Sequence, residues 1–212
     1  IQRDLEKIHE DVTVGDDFQT IFKKVFHSNL ESLSTTLNYV DERSIERAAN
    51  MIYGSSTLFL MAVGNSQPIA MDALHRFLKL GKKTVFFPDP VASAMFARLL
   101  GPNDVAIGIS FSGLSIDVIE VLKIAQDKLS KIITITSYDD TPLTDLADVK
   151  IFSYSKETRF RTEAMESRIV QLSIIDALFV SVAMIDPQKA LTEIQSNTNP
   201  LPYKVVSKKD RI

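Results

Sequence analysis

The segment Ile107-Gly108-Ile109-Ser110-Phe111-Ser112-Gly113-Leu114-Ser115 is an apolar run that breaks into hydroxyls around a single glycine. Residues of those types at that spacing suit the holding of a phosphate. Val105, Ala106, Ile107 and Ile109 read as a strand buried on both faces, and Ile116, Ile119, Leu122 and Ile124 resume at helical spacing. The hydroxyls of Ser110, Ser112 and Ser115 therefore stand at a strand-to-helix turn. There the first N–H groups of the helix lack carbonyl partners and sit at the positive end of its dipole, while Gly113 lets the backbone approach a ligand closely. An anion can take those donors. The competing reading is that Ser112 or Ser115 only caps the helix.

What the loop lacks narrows its chemistry. It contains no lysine or arginine and does not fit the G-x-x-x-x-G-K-[ST] spacing of a nucleotide loop, which argues against phosphoryl transfer from a magnesium nucleotide. Each charge-assisted hydrogen bond to a monoester phosphate contributes roughly 1.5–3 kcal/mol before desolvation, enough for recognition. Acid–base groups are scarce. Of the three histidines, His9, His27 and His75, none falls at the end of a predicted strand. Glu163 and Glu166, with Ser167 and Gln171, bring polar side chains to an otherwise apolar helical stretch. Glu163 and Glu166 are the better candidates for acid–base work; the alternative is that these residues occupy solvated first turns of the helix. No catalytic residue, metal ligand or cofactor is assigned. The absence of cysteine excludes disulfides and thiolate zinc sites and permits a cytoplasmic location.

The elements that position these residues are set by periodicity. Phe18, Ile21, Phe22, Val25, Phe26, Leu30 and Leu33 recur at helical steps after Asp16 and Asp17, either of which can act as N-cap, and a second helix is expected over 41–53. Strands are expected over 57–63, 84–87, 104–109, 131–136 and 149–152, with helices over 68–80, 93–100 and 115–129 between them. That alternation predicts an α/β fold, a three-layer αβα doubly wound five-stranded parallel sheet of order 2-1-3-4-5. The longest helical pattern, about 158–184, has an apolar second half from Ile169 to Val180 that could complete the core or form a two-fold interface.

Ligands of doubly wound sheets bind beyond the carboxyl ends of the strands, where strand order reverses. For this order the reversal lies between the first and third strands. The first ends in Ala62-Val63-Gly64-Asn65-Ser66 and the third in Ser110-Phe111-Ser112-Gly113, so two polar loops are expected to meet there. Ser66 can equally cap the helix after it.

The chain has 212 residues, 45% of them hydrophobic, and a formal net charge of −3. That length carries one full core, and the charge supplies no bulk attraction for nucleic acid or anionic membrane. No uncharged apolar run reaches the length of a membrane span. Residues 1–17 read as a leader or linker, 18–190 as the domain, and 191–212 as the end of a C-terminal helix with a mobile tail from Gln195 onward. The start at Ile1 rather than methionine is read as a fragment or processed product.

Ser110-Phe111-Ser112-Gly113-Leu114-Ser115 resembles the S-x-S-G-x-T motif of the SIS (sugar isomerase) domain. Ala62 to Ser66, Asp72, Leu80-Gly81, Asp89, Thr136-Ser137, Thr141-Pro142-Leu143, Ala147-Asp148, Ser167 to Leu172 and Ile175 to Phe179 extend the likeness to RpiR-type transcription regulators. The resemblance implies a domain that binds a phosphorylated sugar, forms a homodimer or higher oligomer, and acts on DNA through an N-terminal helix-turn-helix domain absent from this chain. It also implies that Ser66, Ser110, Ser112 and Ser115 stand where the family holds its ligand, with Gly64, Asn65 and Gly113 beside them, and Glu163, Glu166 and Ser167 are then candidate contacts to the sugar. Ala62 departs from a glycine common in relatives, Ser115 from a threonine, and Val91 from a histidine after Asp89-Pro90, which removes one polar contact to the sugar. The alternative function is a sugar-phosphate isomerase of the same superfamily, which needs a base that only a glutamate could supply here.

Overall fold

Five runs of aliphatic and β-branched residues form the strands β1 (Leu58–Ala62), β2 (Thr84–Phe86), β3 (Val105–Ile109), β4 (Lys131–Thr136) and β5 (Val149–Phe152). The computed structural model describes residues 12–155 and 165–198. All neighbouring strands are parallel, in the order β2-β1-β3-β4-β5. The helices are α1 (Phe18–Tyr39), α2 (Glu42–Gly54), α3 (Gln67–Lys79), α4 (Pro90–Ala97), α5 (Ile116–Asp127), α6 (Glu166–Ile185) and α7 (Pro187–Thr198).

Alternation along the strands divides the core into two layers. Leu58, Leu60, Ala62, Ile107 and Ile109 meet residues of α2, α3 and α6 on one face. Phe59, Met61, Ala106 and Ile132 meet α4 and α5 on the other. At Gly108 the approach of α5 is so close that a Cβ would stand 2.3 Å from Leu122 Cδ1. The expected three-layer αβα sheet and its order are what the structure has.

Element boundaries differ from expectation where an Asp-Pro pair starts a helix. Asp89 accepts from the N–H groups of Val91 and Ala92, so α4 begins at Pro90 and not near Ser93. Asp186 accepts from the Lys189 N–H, and α7 runs from Pro187 to Thr198 across the expected domain edge at 190. Proline at the first helical position loses no hydrogen bond, and a preceding aspartate caps the turn. Gln195–Thr198, expected in a mobile tail, are thus helical, and residues 199–212 lie outside the described part.

The apolar half of α6 completes the core of the single chain. Val170, Ile174, Ile175, Leu178 and Val182 are buried against the sheet, whereas Val180 and Met184 are exposed. By length and composition alone α6 could cross a membrane, yet one side of it covers strands. Arg76 of α3 holds it from the side, with Nε 2.6 Å from Asp72 and an Nη 2.7 Å from Asp176. Those carboxylates, led by the hydrogen bond to Asp72, raise the guanidinium above its ordinary value.

Helix α1 turns only part of its apolar pattern inward: Ile21, Val25 and Leu33 are half-buried, with Leu33 against the core. It begins at the expected cap, Asp17, whose side chain accepts from the Thr20 N–H at 2.7 Å, and it runs past Leu33 to Tyr39. Its buried residues are Ser28, Ser32 and Thr36, one turn apart, while Phe18, Phe22, Phe26 and Leu30 are exposed. The reason is a buried carboxylate. Ser28 Oγ donates to Glu166 Oε1 at 2.5 Å and Ser32 Oγ to Oε2 at 2.9 Å. One turn on, Thr36 Oγ1 donates to the Tyr154 carbonyl at 2.9 Å and accepts from its N–H at 3.0 Å.

Deleting donors to a buried carboxylate is costly, so Ser28→Ala and Ser32→Ala should each lower unfolding free energy by about 1–3 kcal/mol in urea denaturation. An equal pair of substitutions at the exposed Ser34 and Asn38 should leave the midpoint within error.

Candidate ligand-binding site

The β1–α3 and β3–α5 loops lie side by side because β1 and β3 are neighbours that end together, with Ala62 opposite Ile109. The chain turns from β1 toward α3 on one face and from β3 toward α5 on the other, which opens a crevice between the two loops.

Each loop delivers a serine to a helix N-terminus without capping it. Gly64–Ser66 form a 3₁₀ turn, and Ser66, the N-cap of α3, makes no side-chain capping bond. Ser115 is the N-cap of α5 in extended backbone and likewise makes none. By contrast α1, α2 and α4 are capped by Asp17, Asp41 and Asp89. The capping reading of Ser66 and Ser115 therefore does not hold. Ser112 Oγ accepts from the Leu114 N–H at 3.2 Å, which closes a turn within the loop. Ser110 is buried, its N–H donating to the Ile135 carbonyl at 3.1 Å.

The β3–α5 loop is buttressed from β4. The Phe111 carbonyl accepts from the Ser137 N–H at 3.0 Å and from Thr136 Oγ1 at 3.1 Å, and the Phe111 ring meets Tyr138 edge-on. Gly113 has φ +67°, and a Cβ there would lie 2.4 Å from Thr141 Oγ1. Both the backbone conformation and the space require glycine. Neither loop, 64–66 or 110–115, contains an ionisable side chain; Asp117 is exposed in the first turn of α5 and competes for its positive end.

Behind the crevice runs a polar chain that the sequence does not announce. Ser137 Oγ and Ser153 Oγ are 2.8 Å apart, and Gln171 Nε2 of α6 donates to Ser153 Oγ at 3.2 Å. Thr136-Ser137 belong to the family resemblance and Gln171 to the polar face of α6, but sequence reasoning misses Ser153. Its only sequence signal is a hydroxyl directly after β5, at the same sheet edge as the other loops.

The carboxylates separate. Glu163 lies outside the described residues. Glu166 and Ser167 are buried at 2% and 1% exposure, so the reading of solvated first turns is corrected. Glu166 spends hydrogen-bonding capacity on α1, a partner invisible in local spacing because 138 residues separate it from Ser28. His27 and His75 lie on helices, away from the strand ends. Val91 is exposed in the first turn of α4, directly after β2.

Comparison with known proteins agrees with this fold. The SIS domain family matches residues 51–181, and the chain belongs to that family. An HTH-type transcriptional regulator of Thermotoga maritima is 34% identical over 184 residues, 87% of this chain and 66% of the regulator. The HTH-type transcriptional regulator RpiR of Escherichia coli K12 is 33% identical over 84% of this chain and 60% of its own length. The chain thus spans somewhat under two thirds of these regulators. In fold it is similar to the NanR protein of Vibrio vulnificus in complex with ManNAc-6P, with a TM-score of 0.84 and 22% identity over 92% of this chain and 72% of NanR.

Adding a methyl group at Gly113 forces both an unfavourable φ and a displacement of Thr141. Gly113→Ala should therefore cost about 1–3 kcal/mol in denaturant titration. Gly54→Ala, where a Cβ meets nothing within 4 Å, is the matched control and should not destabilise.

Proposed function

We propose that this chain is the effector-sensing domain of an RpiR-type transcription regulator of carbohydrate metabolism. It binds a phosphorylated sugar in the cytoplasm without converting it, works as a homodimer, and couples occupancy to DNA binding by a helix-turn-helix domain outside this chain. The observation that carries the reading is the pair of serine-bearing, uncapped helix N-termini facing one crevice with no titratable side chain in either loop. Such a site offers hydrogen-bond donors to a phosphate and no base to a sugar carbon. The ManNAc-6P in the Vibrio vulnificus relative supports the ligand class.

In this assignment Ser110, Ser112, Gly113 and Ser115 hold the phosphate, and Gly64, Asn65 and Ser66 close the other wall. The sugar end falls to the start of α6, where Ser167 stands and which Glu163 precedes. Glu166 serves there as a link to α1 through Ser28 and Ser32. Occupancy reaches α1 by two routes that meet on α6 and the residues after β5. One runs from Phe111 through Ser137 and Ser153 to Gln171; the other passes from Tyr154 to Thr36. A ligand that shifts the loop biases both, which is the physical content of coupling between sites.

The test is a melting-temperature panel of hexosamine, hexose and pentose phosphates with NMR of the recovered ligand. A bound sugar phosphate at a hundredfold excess over Kd should raise Tm by about 5–10 °C. Ser110→Ala and Ser112→Ala should remove most of that rise, and the ligand should be recovered unchanged. Isomerised product, lost in Glu163→Gln, would replace sensing by catalysis. No rise with any sugar phosphate would leave a dimerisation module without a working pocket.

A further inference from the structure

The exposed face of α1 is the largest feature that the sensing reading does not use. Phe18, Phe22, Phe26 and Leu30 stand at four-residue steps and are 92%, 60%, 55% and 62% exposed. The rings of Phe22 and Phe26 stack with centroids 4.4 Å apart, so the stripe is a continuous surface. A helix that turns three hydroxyls inward and three phenylalanines outward has its apolar side covered by something else in its working state. The stripe offers on the order of 500–600 Å² of apolar surface per copy, and two such faces with their rims approach the roughly 1,200 Å² of a stable interface.

We propose that this stripe is the two-fold seam between two copies of the chain, with the α1 helices packed antiparallel about an axis at Phe26. The inference rests on the reading of the protein as a homodimer and says which surface makes it. Its support is self-complementarity. With Phe26 on the axis, Phe22 faces Leu30 of the other copy. Phe18, the most exposed of the four, falls opposite Ser34. Ser34 stands at the mouth of an apolar cleft of about 390 Å³ between α1, α2 and α6, whose walls include Leu33, Leu37, Ile45, Val170 and Ile174. The cleft has no ring of its own to fill it, and the stripe has a ring with nothing to cover it. Two ridges of four-residue steps pack at a crossing of about −50°, which brings the Phe18 end of one stripe alongside the Ser34 end of the other.

The inner face of the same helix carries the serines that hold Glu166. The seam therefore lies one helix diameter from the start of α6, and a shift of α6 is felt by the partner copy.

The chain contains no cysteine, which makes the register directly testable. Light scattering of the wild-type chain at about 50 µM should give twice the 23.7 kDa chain mass, as expected for a low-micromolar or tighter dimer. The variant Phe22→Asp/Phe26→Asp, altered only at exposed positions, should run at the single-chain mass with an unchanged circular dichroism spectrum. With a short bismaleimide, Phe26→Cys should cross-link to itself. Phe18→Cys should not, because its two copies stand about 24 Å apart along the antiparallel pair. A mixture of Phe18→Cys and Ser34→Cys should cross-link. A dimeric double variant, or self-cross-linking at 18 instead of 26, overturns the seam and leaves the homodimer reading standing. A monomeric wild-type chain overturns both, and neither result bears on ligand binding, which the Tm panel reads separately.

Discussion

Under the phosphate-holding role proposed for the two loops, neither of which contains a lysine or arginine, one requirement bears on the remaining architecture: backbone donors must be left unpaired and pointed at one place. A single helix end offers few such donors, and leaving it uncapped costs about 1 kcal/mol. Two helix ends can converge only at a point where successive crossovers leave the sheet on opposite faces. The order β2-β1-β3-β4-β5 places that point between β1 and β3, and the pairing of Ala62 with Ile109 brings the two strand ends to the same height. Capping aspartates on α1, α2 and α4, and serines that do not cap on α3 and α5, are the local expression of the same requirement.

Unpaired donors need a rigid support, because a loop with free N–H groups would otherwise fold back on itself. That support comes from β4 and from the loop that leads out of it. The Phe111 carbonyl is held twice, by Ser137 and Thr136, and Gly113 sits against Thr141 where no side chain would fit. Ser153 and Gln171 carry the hydrogen-bonded chain onward to α6. The route proposed from the crevice to α1 is thus made of polar contacts in a close-packed interior, a medium that transmits small displacements well.

Much of this architecture was legible in the residues alone. Lys131–Thr136 and Val149–Phe152 are strands over the expected ranges, and β1, β2 and β3 differ by a residue at their ends. Period and length decide such elements, because a buried parallel strand has few alternatives for a run of isoleucine, valine and leucine. The helix starts at Pro90 and Pro187 were equally written in Asp-Pro pairs, a local signal that the apolar periodicity overrode. The two polar loops and their meeting place came from topology once the strand order was taken as doubly wound.

What spacing does not carry is which face of a helix turns inward. Phe18, Phe22, Phe26 and Leu30 form a regular apolar stripe, and a stripe is ordinarily the buried side. Here Glu166, far away in sequence, needs hydroxyl donors in the interior, and Ser28 and Ser32 supply them. The amino-acid sequence by itself determined the elements, their order and the chemistry of the two loops, because those depend on local periodicity and on turn residues. Only the tertiary structure decided that α1 turns its hydroxyls inward and that Glu166 is a buried anchor. Both result from satisfying one carboxylate, a condition set between residues that meet only when the chain is folded.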